Sequence, residues 1–151
     1  MGLDFSKLLT KDRSIALDST VFIYALNEHE HFPDAAKLLS AVKEGLNTAM
    51  TSVMTLLEVA VHPYKTGSAQ LVEEHRKFIS GNGKIRIVDV SQAVALKAAE
   101  LRVKYHLKTP DAIHLATAIE ANCSLFFTAD KDFQTKISEI IIIHIEPTPK
   151  A

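Results

Sequence analysis

The sequence is poor in cysteine and glycine, has no tryptophan, and carries no excess of positive charge. The one cysteine, Cys123, excludes an intrachain disulfide and fits a reducing compartment. Five glycines supply no phosphate-cradling loop, and Gly81-Asn82-Gly83 reads as a turn signal. The longest uninterrupted aliphatic run, Ile140 to Ile143, is far too short to span a bilayer. The opening Met1-Gly2-Leu3-Asp4-Phe5 lacks the basic start and apolar stretch of a signal peptide. These absences predict a soluble, cytoplasmic chain with no membrane association. With 17 Lys and Arg against 18 Asp and Glu, the net charge is −1. That excludes a protein gripping nucleic acid by global basic charge. Any such substrate must be held by a local patch, a metal or a partner chain.

What is present is enough apolar material for a core. The chain has 151 residues, 47% of them hydrophobic, which predicts a single domain over 1–151 with a core of about 14–145 and short terminal tails. Four β-type runs stand out: Ser14 to Leu17, Ile85 to Val90, Leu125 to Thr128 and Ile140 to Ile145. A weaker one covers Asn47 to Thr51. The strongest are continuous apolar runs, as expected of strands covered on both faces of a parallel sheet. Helical patterns lie between them: Asp34 to Val42 ending near Gly45, Val53 to Val61, Ala69 to Ile79, Gln92 to Tyr105, and Ala112 to Ala121. The last has Thr109 as an N-cap and Pro110 at its first helical position. Alternating strands and helices predict an α/β fold with a mainly parallel sheet, whose ligands sit beyond the carboxyl ends of the strands.

Four acids fall near that edge. Asp18 closes the strand Ile15-Ala16-Leu17, and Asp130 follows Leu125 to Ala129. Asp111 opens a helix, and Glu58 lies on the helix after the weak strand. Each has a plain structural role open to it: turn residue, cap or dipole partner. Glu58 also matches a capping box with Thr55, and helical geometry sets it about 100–130° from the centre of a Val53/Leu57/Ala60 stripe, on the polar side. Taken jointly, convergent carboxylates repel unless a cation sits among them. Hard oxygen ligands select Mg²⁺ or Mn²⁺, and such a site suits phosphodiester hydrolysis.

At these residues the sequence resembles the PIN-domain family, and more narrowly VapC-type toxin ribonucleases. The matching segments are Ile15 to Tyr24, Thr51 to Val59, Thr109 to Ala118, which is the most specific, and Phe126 to Phe133. The resemblance runs from about Ser14 to Ile145. It implies a three-layer sandwich with a central parallel sheet flanked by helices, and RNA hydrolysis by metal-activated water that leaves a 3′-hydroxyl and a 5′-phosphate. By the same resemblance Asp18, Asp111 and Asp130 hold the principal Mg²⁺ or Mn²⁺. Glu58 completes the site or orients water, and Asp132 is a water-mediated ligand or an alternative to Asp130. Ser19, Ser52 and Thr128 take hydroxyl positions that support the carboxylates. The resemblance further implies a homodimer and a cognate antitoxin as partner. One departure is Thr20, where the family often has Asn; Thr still donates one hydrogen bond.

Other residues are weighed beside these. Lys131, next to Asp130, leads the candidate phosphate contacts, followed by Lys108, Lys104, Arg102 and Arg13. His114, three residues after Asp111, orients a carboxylate, touches a phosphate or simply packs. His29-x-His31 is a weak metal pair, and Phe22 and Tyr24 are either base-stacking or core residues. The alternative to an enzyme is a PIN-like module that binds RNA or protein without cutting. A haloacid-dehalogenase-type reading would want an Asp where Thr20 stands.

Overall fold

The computed structural model describes residues 3–27, 30–45, 47–133 and 135–149; His29 therefore lies outside the described residues. Its elements are α1 (Phe5–Leu8), β1 (Ser14–Leu17), α2 (Ser19–Asn27), α3 (Pro33–Glu44), β2 (Thr48–Ser52), α4 (Met54–Lys65), α5 (Ala69–Ser80), β3 (Ile85–Val88), α6 (Gln92–Tyr105), α7 (Thr109–Glu120), β4 (Leu125–Thr128) and β5 (Ile141–His144). The five strands form one sheet in the order β3-β2-β1-β4-β5, every neighbouring pair parallel.

Alternation along the central strands divides the core. Ile15, Leu17, Leu125 and Phe127 face one side, where they pack with Val21 and Phe22 of α2, Leu38 and Val42 of α3, and Ile79 of α5. Ala16, Met50 and Phe126 face the other, against Leu101 of α6 and Leu115 of α7. The sheet is thus the middle of three layers, and burial of β1 and β4 on both faces explains why they read as unbroken apolar runs.

Several boundaries differ from the sequence expectation. Segment 19–27 is helix α2, although Val21-Phe22-Ile23-Tyr24 has strand-like residues; its burial against the sheet overrides local preference. Helix α4 continues through Pro63 to Lys65 rather than stopping at Val61; Pro63 is buried, and the turn around it is closed by the Thr66 and Ser68 N–H groups donating to the His62 and Pro63 carbonyls. Helix α7 starts at Thr109 itself. Its N-cap is the extended Lys108, with no side-chain cap bond, so Thr109 is not the cap. Strands β3 and β5 are shorter than their apolar runs. Gly81 ends α5 in the left-handed region (φ 53°), where a side chain would also press on Ile85. Among the described residues no helix is long and apolar enough to cross a membrane.

Candidate active site

The parallel sheet brings β1 and β4 side by side, so the residues following them emerge at the same edge. Asp18 leaves β1 with its N–H donating to the Phe127 carbonyl (2.9 Å), and its side chain is almost fully buried. Burial of an acid demands donors. Thr128, the last residue of β4, donates to Asp18 Oδ2 at 2.7 Å, and Thr20 donates to the same oxygen at 2.8 Å. The Thr20 hydroxyl in turn accepts from the Ala129 N–H at 2.9 Å. Thr20 thus does two jobs, one as donor and one as acceptor. Neither hydroxyl engages Oδ1, which stands 3.8 Å from His114 Nε2.

Asp130 is half-buried. Its N–H donates to Thr128 Oγ1 (3.1 Å) and its Oδ1 accepts from the Asp132 N–H (2.9 Å), a local turn that leaves Asp132 and Lys131 exposed. Asp111 lies in the first turn of α7, where the dipole favours an anion. Burial and the charges of Asp18, Asp130 and Glu58 nevertheless push its carboxyl up to about 6, with only His114 opposing them. The acids are close enough to repel, and His114 is the one basic side chain that opposes this at Asp111.

Glu58 is drawn into the same group. Thr55, Val59 and Pro63 are the buried face of α4, while Leu57 is 59% exposed, so the apolar stripe expected from Val53/Leu57/Ala60 is not the packed one. The Thr55 hydroxyl shares a 2.7 Å bond with Thr51, which donates to the Leu17 carbonyl at 2.7 Å, latching α4 to the end of β1. This rotation turns Glu58 toward the aspartates. Ser19 donates to Glu58 Oε2 at 2.8 Å, and His114 Nε2 lies 2.7 Å from Oε1. Burial would raise the Glu58 pKa, but the bond and charge of His114 and the bond from Ser19 outweigh it and lower it. Burial likewise opposes the charged imidazole, yet the Glu58 bond and the charges of Asp18, Glu58 and Asp111 raise the His114 pKa. Thr55 and Glu58 do not form a capping box.

Other candidates fall elsewhere. The Ser52 hydroxyl accepts from the Met54 N–H (3.1 Å) at the start of α4, so it serves the helix end rather than a carboxylate. His114 is only 3% exposed, which removes it from direct contact with a substrate. Lys104 is bonded to Glu139, and Arg102 donates to the Leu107 carbonyl. Phe22 is core, and Tyr24 stacks on Phe32 with ring centroids 4.1 Å apart. Thr51 and Thr55 are the site-forming residues that sequence reasoning passed over. Their one sequence signal is hydroxyls at a strand end, four residues apart.

The donor set is wholly hard oxygen, which fits Mg²⁺ or Mn²⁺ rather than zinc. Among the described residues no three His, Cys, Asp or Glu side chains form a ready-made metal cage. An open arrangement of this kind suits an ion that binds through one or two carboxylates and keeps several waters. The unrelieved repulsion on Asp111 is what such an ion would remove.

Comparison with known proteins follows the same lines. The family described as PIN domain matches residues 15–137. By sequence, no curated protein matches the chain. Among solved structures, a toxin–antitoxin complex from Klebsiella pneumoniae is 26% identical, with a TM-score of 0.64 over 84% of this chain and 95% of that one. VapBC2 from Rickettsia felis, solved bound to a DNA fragment from its promoter, is 20% identical, with a TM-score of 0.63 over 87% and 98%. VapC20 from Mycobacterium tuberculosis, a sarcin-ricin loop cleaving toxin, is 19% identical, with a TM-score of 0.60 over 84% and 98%.

Proposed function

From the premise that this chain belongs to the PIN domain family, we propose that it is a Mg²⁺- or Mn²⁺-dependent endoribonuclease and the toxin of a type II toxin–antitoxin pair. Nuclease chemistry follows the family. The observation that carries the metal-dependent reading is that Asp18, Asp130 and Glu58 are tied to one sheet edge through Thr128, Ser19 and His114, with Asp111 one helical turn before His114 and close enough to the other acids for burial and their charges to raise its carboxyl. Four acids set against the single basic side chain of His114 leave an excess of negative charge that an external cation would offset.

In this reading Asp18, Asp111 and Asp130 would hold the ion, with Asp132 as a water-mediated ligand or an alternative to Asp130. A bound Mg²⁺ or Mn²⁺ would supply Lewis acidity and make a bound water more acidic than bulk water. The protein's own share is orientation. Thr128 and Thr20 fix Asp18 through Oδ2 and leave Oδ1 for the site. Ser19 and His114 fix Glu58, which orients the attacking water or completes the ion's shell. Asp111, on the first turn of α7, closes the group from the opposite layer. Lys131, exposed beside Asp130, is the substrate-side cation that meets a phosphate of the RNA.

The structural relatives solved with their antitoxins support a small antitoxin partner for this chain, and a homodimer is the form in which we expect it. Incubation of a fluorescent single-stranded RNA with Mn²⁺, with and without EDTA, tests the reaction. Cleavage that EDTA leaves intact, or none in either condition, would sink it. Light scattering of the chain alone and with the product of the neighbouring open reading frame tests the assembly. A monomer that ignores that product would count against it.

A further inference from the structure

Glu58 is brought only to the border of the buried face of α4 by the rotation that the Thr51–Thr55 latch gives the helix. On α4 it lies about 100° from the centre of the buried Thr55/Val59/Pro63 face, next to the exposed Leu57, Val61 and Tyr64. A long, flexible carboxylate at that border samples water unless it is held. Two bonds hold it, and each comes from another helix: Ser19 of α2 takes one oxygen and His114 of α7 takes the other.

The two holders differ in kind. Ser19 is a small hydroxyl adjacent to Asp18 in the chain. His114 is a rigid ring, 3% exposed, whose Nε2 lies 2.7 Å from Glu58 and 3.8 Å from Asp18. Its other nitrogen, Nδ1, is buried with no partner. All polar contact of the ring therefore runs through Nε2. With the hydrogen on Nε2, the ring donates to Glu58 and leaves a bare lone pair at Nδ1. The opposite tautomer would bury an unpaired N–H and set a lone pair against a carboxylate. The hydrogen belongs on Nε2. One turn before it on the same helix, Asp111 joins the acid group, so α7 delivers both an acid and the ring that spaces two others.

We propose that His114 is a positioning residue: its Nε2–H draws Glu58 off the solvent border of α4 and sets its distance from Asp18, so that both carboxylates are presented to one divalent cation. This rests on the ribonuclease reading above and assigns the ring no contact with RNA.

Three substitutions separate positioning from packing. Glutamine carries an amide N–H near the place of Nε2, asparagine carries it near Nδ1 and too short to reach Glu58, and leucine fills space without a donor. Mn²⁺ affinity, read from the electron paramagnetic resonance signal of the free ion, is expected to fall about 10- to 100-fold in His114→Asn and His114→Leu, while His114→Gln stays within about threefold of wild type. On a cleavable RNA, kcat should follow the same order with KM unchanged. In a Glu58→Gln background, adding His114→Asn should cost less than about twofold, because the group it positions is already altered. Equal losses for all three variants, or an undiminished cost of His114→Asn beside Glu58→Gln, would overturn the proposal. Should the variants not fold, the imidazole ¹⁵N shifts of the wild-type chain decide. A proton on Nε2 supports the proposal, and a neutral ring protonated on Nδ1 overturns it. A wild-type chain that binds Mn²⁺ yet cleaves no RNA would defeat the ribonuclease reading, while the affinity order still judges His114.

Discussion

At the amino edge of the sheet, just before β5, Glu139 is met by everything a carboxylate needs. Lys104 donates at 2.5 Å, the Tyr105 hydroxyl reaches its oxygens at 2.8 and 3.0 Å, and Ser138 donates at 3.0 Å. Burial works to raise its pKa, but these partners outweigh it and hold the group down to about 2. At the carboxyl edge, burial and three neighbouring acids push Asp111 up to about 6. Both carboxylates belong to a chain whose net charge is only −1. The shortage of positive charge at the carboxyl edge is therefore local. One acid is met by donors of the fold, and the other is met mainly by burial and by other acids.

The sharpest way to break this contrast is to neutralise each acid in turn. Asp111→Asn is expected to lower the rate of RNA cleavage with Mn²⁺ by at least about 100-fold, whereas Glu139→Gln leaves it within about twofold, since the group faces the other edge. Equal losses in a gel-based cleavage assay would erase the distinction. The next effect is on thermal stability. Mn²⁺ at about 100 times its Kd should stabilise the wild-type chain by about 2.7 kcal/mol, or roughly 5–11 °C in Tm by calorimetry. Asp111→Asn should show only a fraction of that gain.

The pH dependence of the metal-free chain sharpens the comparison, because the two groups carry opposite signs. The folded-state pKa of Asp111 is raised, so the native state binds more protons than the unfolded chain between about 4 and 6. Stability is lost as pH rises through that window. Asp111→Asn should therefore raise the metal-free Tm at pH 7.5, and the advantage should shrink as pH falls from 6 toward 4. Glu139 is lowered, so its contribution is present above the ordinary glutamate range and is lost as pH falls toward about 2. Glu139→Gln should lower Tm at neutral pH by the small amount expected of a mostly solvent-screened ion pair, roughly 1 kcal/mol or less, and have no effect in acid. Differential scanning fluorimetry across pH would reveal parallel rather than opposed trends if the contrast is mistaken. The smallest expected effect is that of Ser52→Ala, about 1 kcal/mol of stability from the lost bond to the Met54 N–H, with cleavage unchanged.

The layered fold was legible because β1 and β4 are buried on both faces and so appear as continuous apolar runs, each ending near an acid. The positions of Asp18 and Asp130 follow from those strand ends and from the parallel pairing. Glu58 was not legible by geometry. The helical pattern pointed to Leu57 as a packed residue, but the Thr51–Thr55 latch turns α4 so that Leu57 faces out and Glu58 faces the aspartates. Polar residues made the decisive contact, and hydrophobic periodicity says nothing about them. Ser52 differs from the expectation for a related reason: its hydroxyl accepts from the Met54 N–H two residues on, a local bond that serine forms readily at the end of a strand. Helix α2 was hidden by β-branched and aromatic residues that its burial requires.

The bond from Thr128 to Asp18 spans 110 residues, and β1 takes β4 as one of its two neighbours at the same separation. During synthesis, Asp18 and Glu58 leave the ribosome long before their remaining partners. β1 can pair early with β2, but its other edge stays open until β4 arrives, and until then Asp18 has the Thr20 hydroxyl but not that of Thr128. Non-local pairing of this kind comes late in folding. Translation itself thus imposes a delay: a chain interrupted before β4 lacks both Asp130 and Thr128, so the acid group at the carboxyl edge is incomplete until that strand is released.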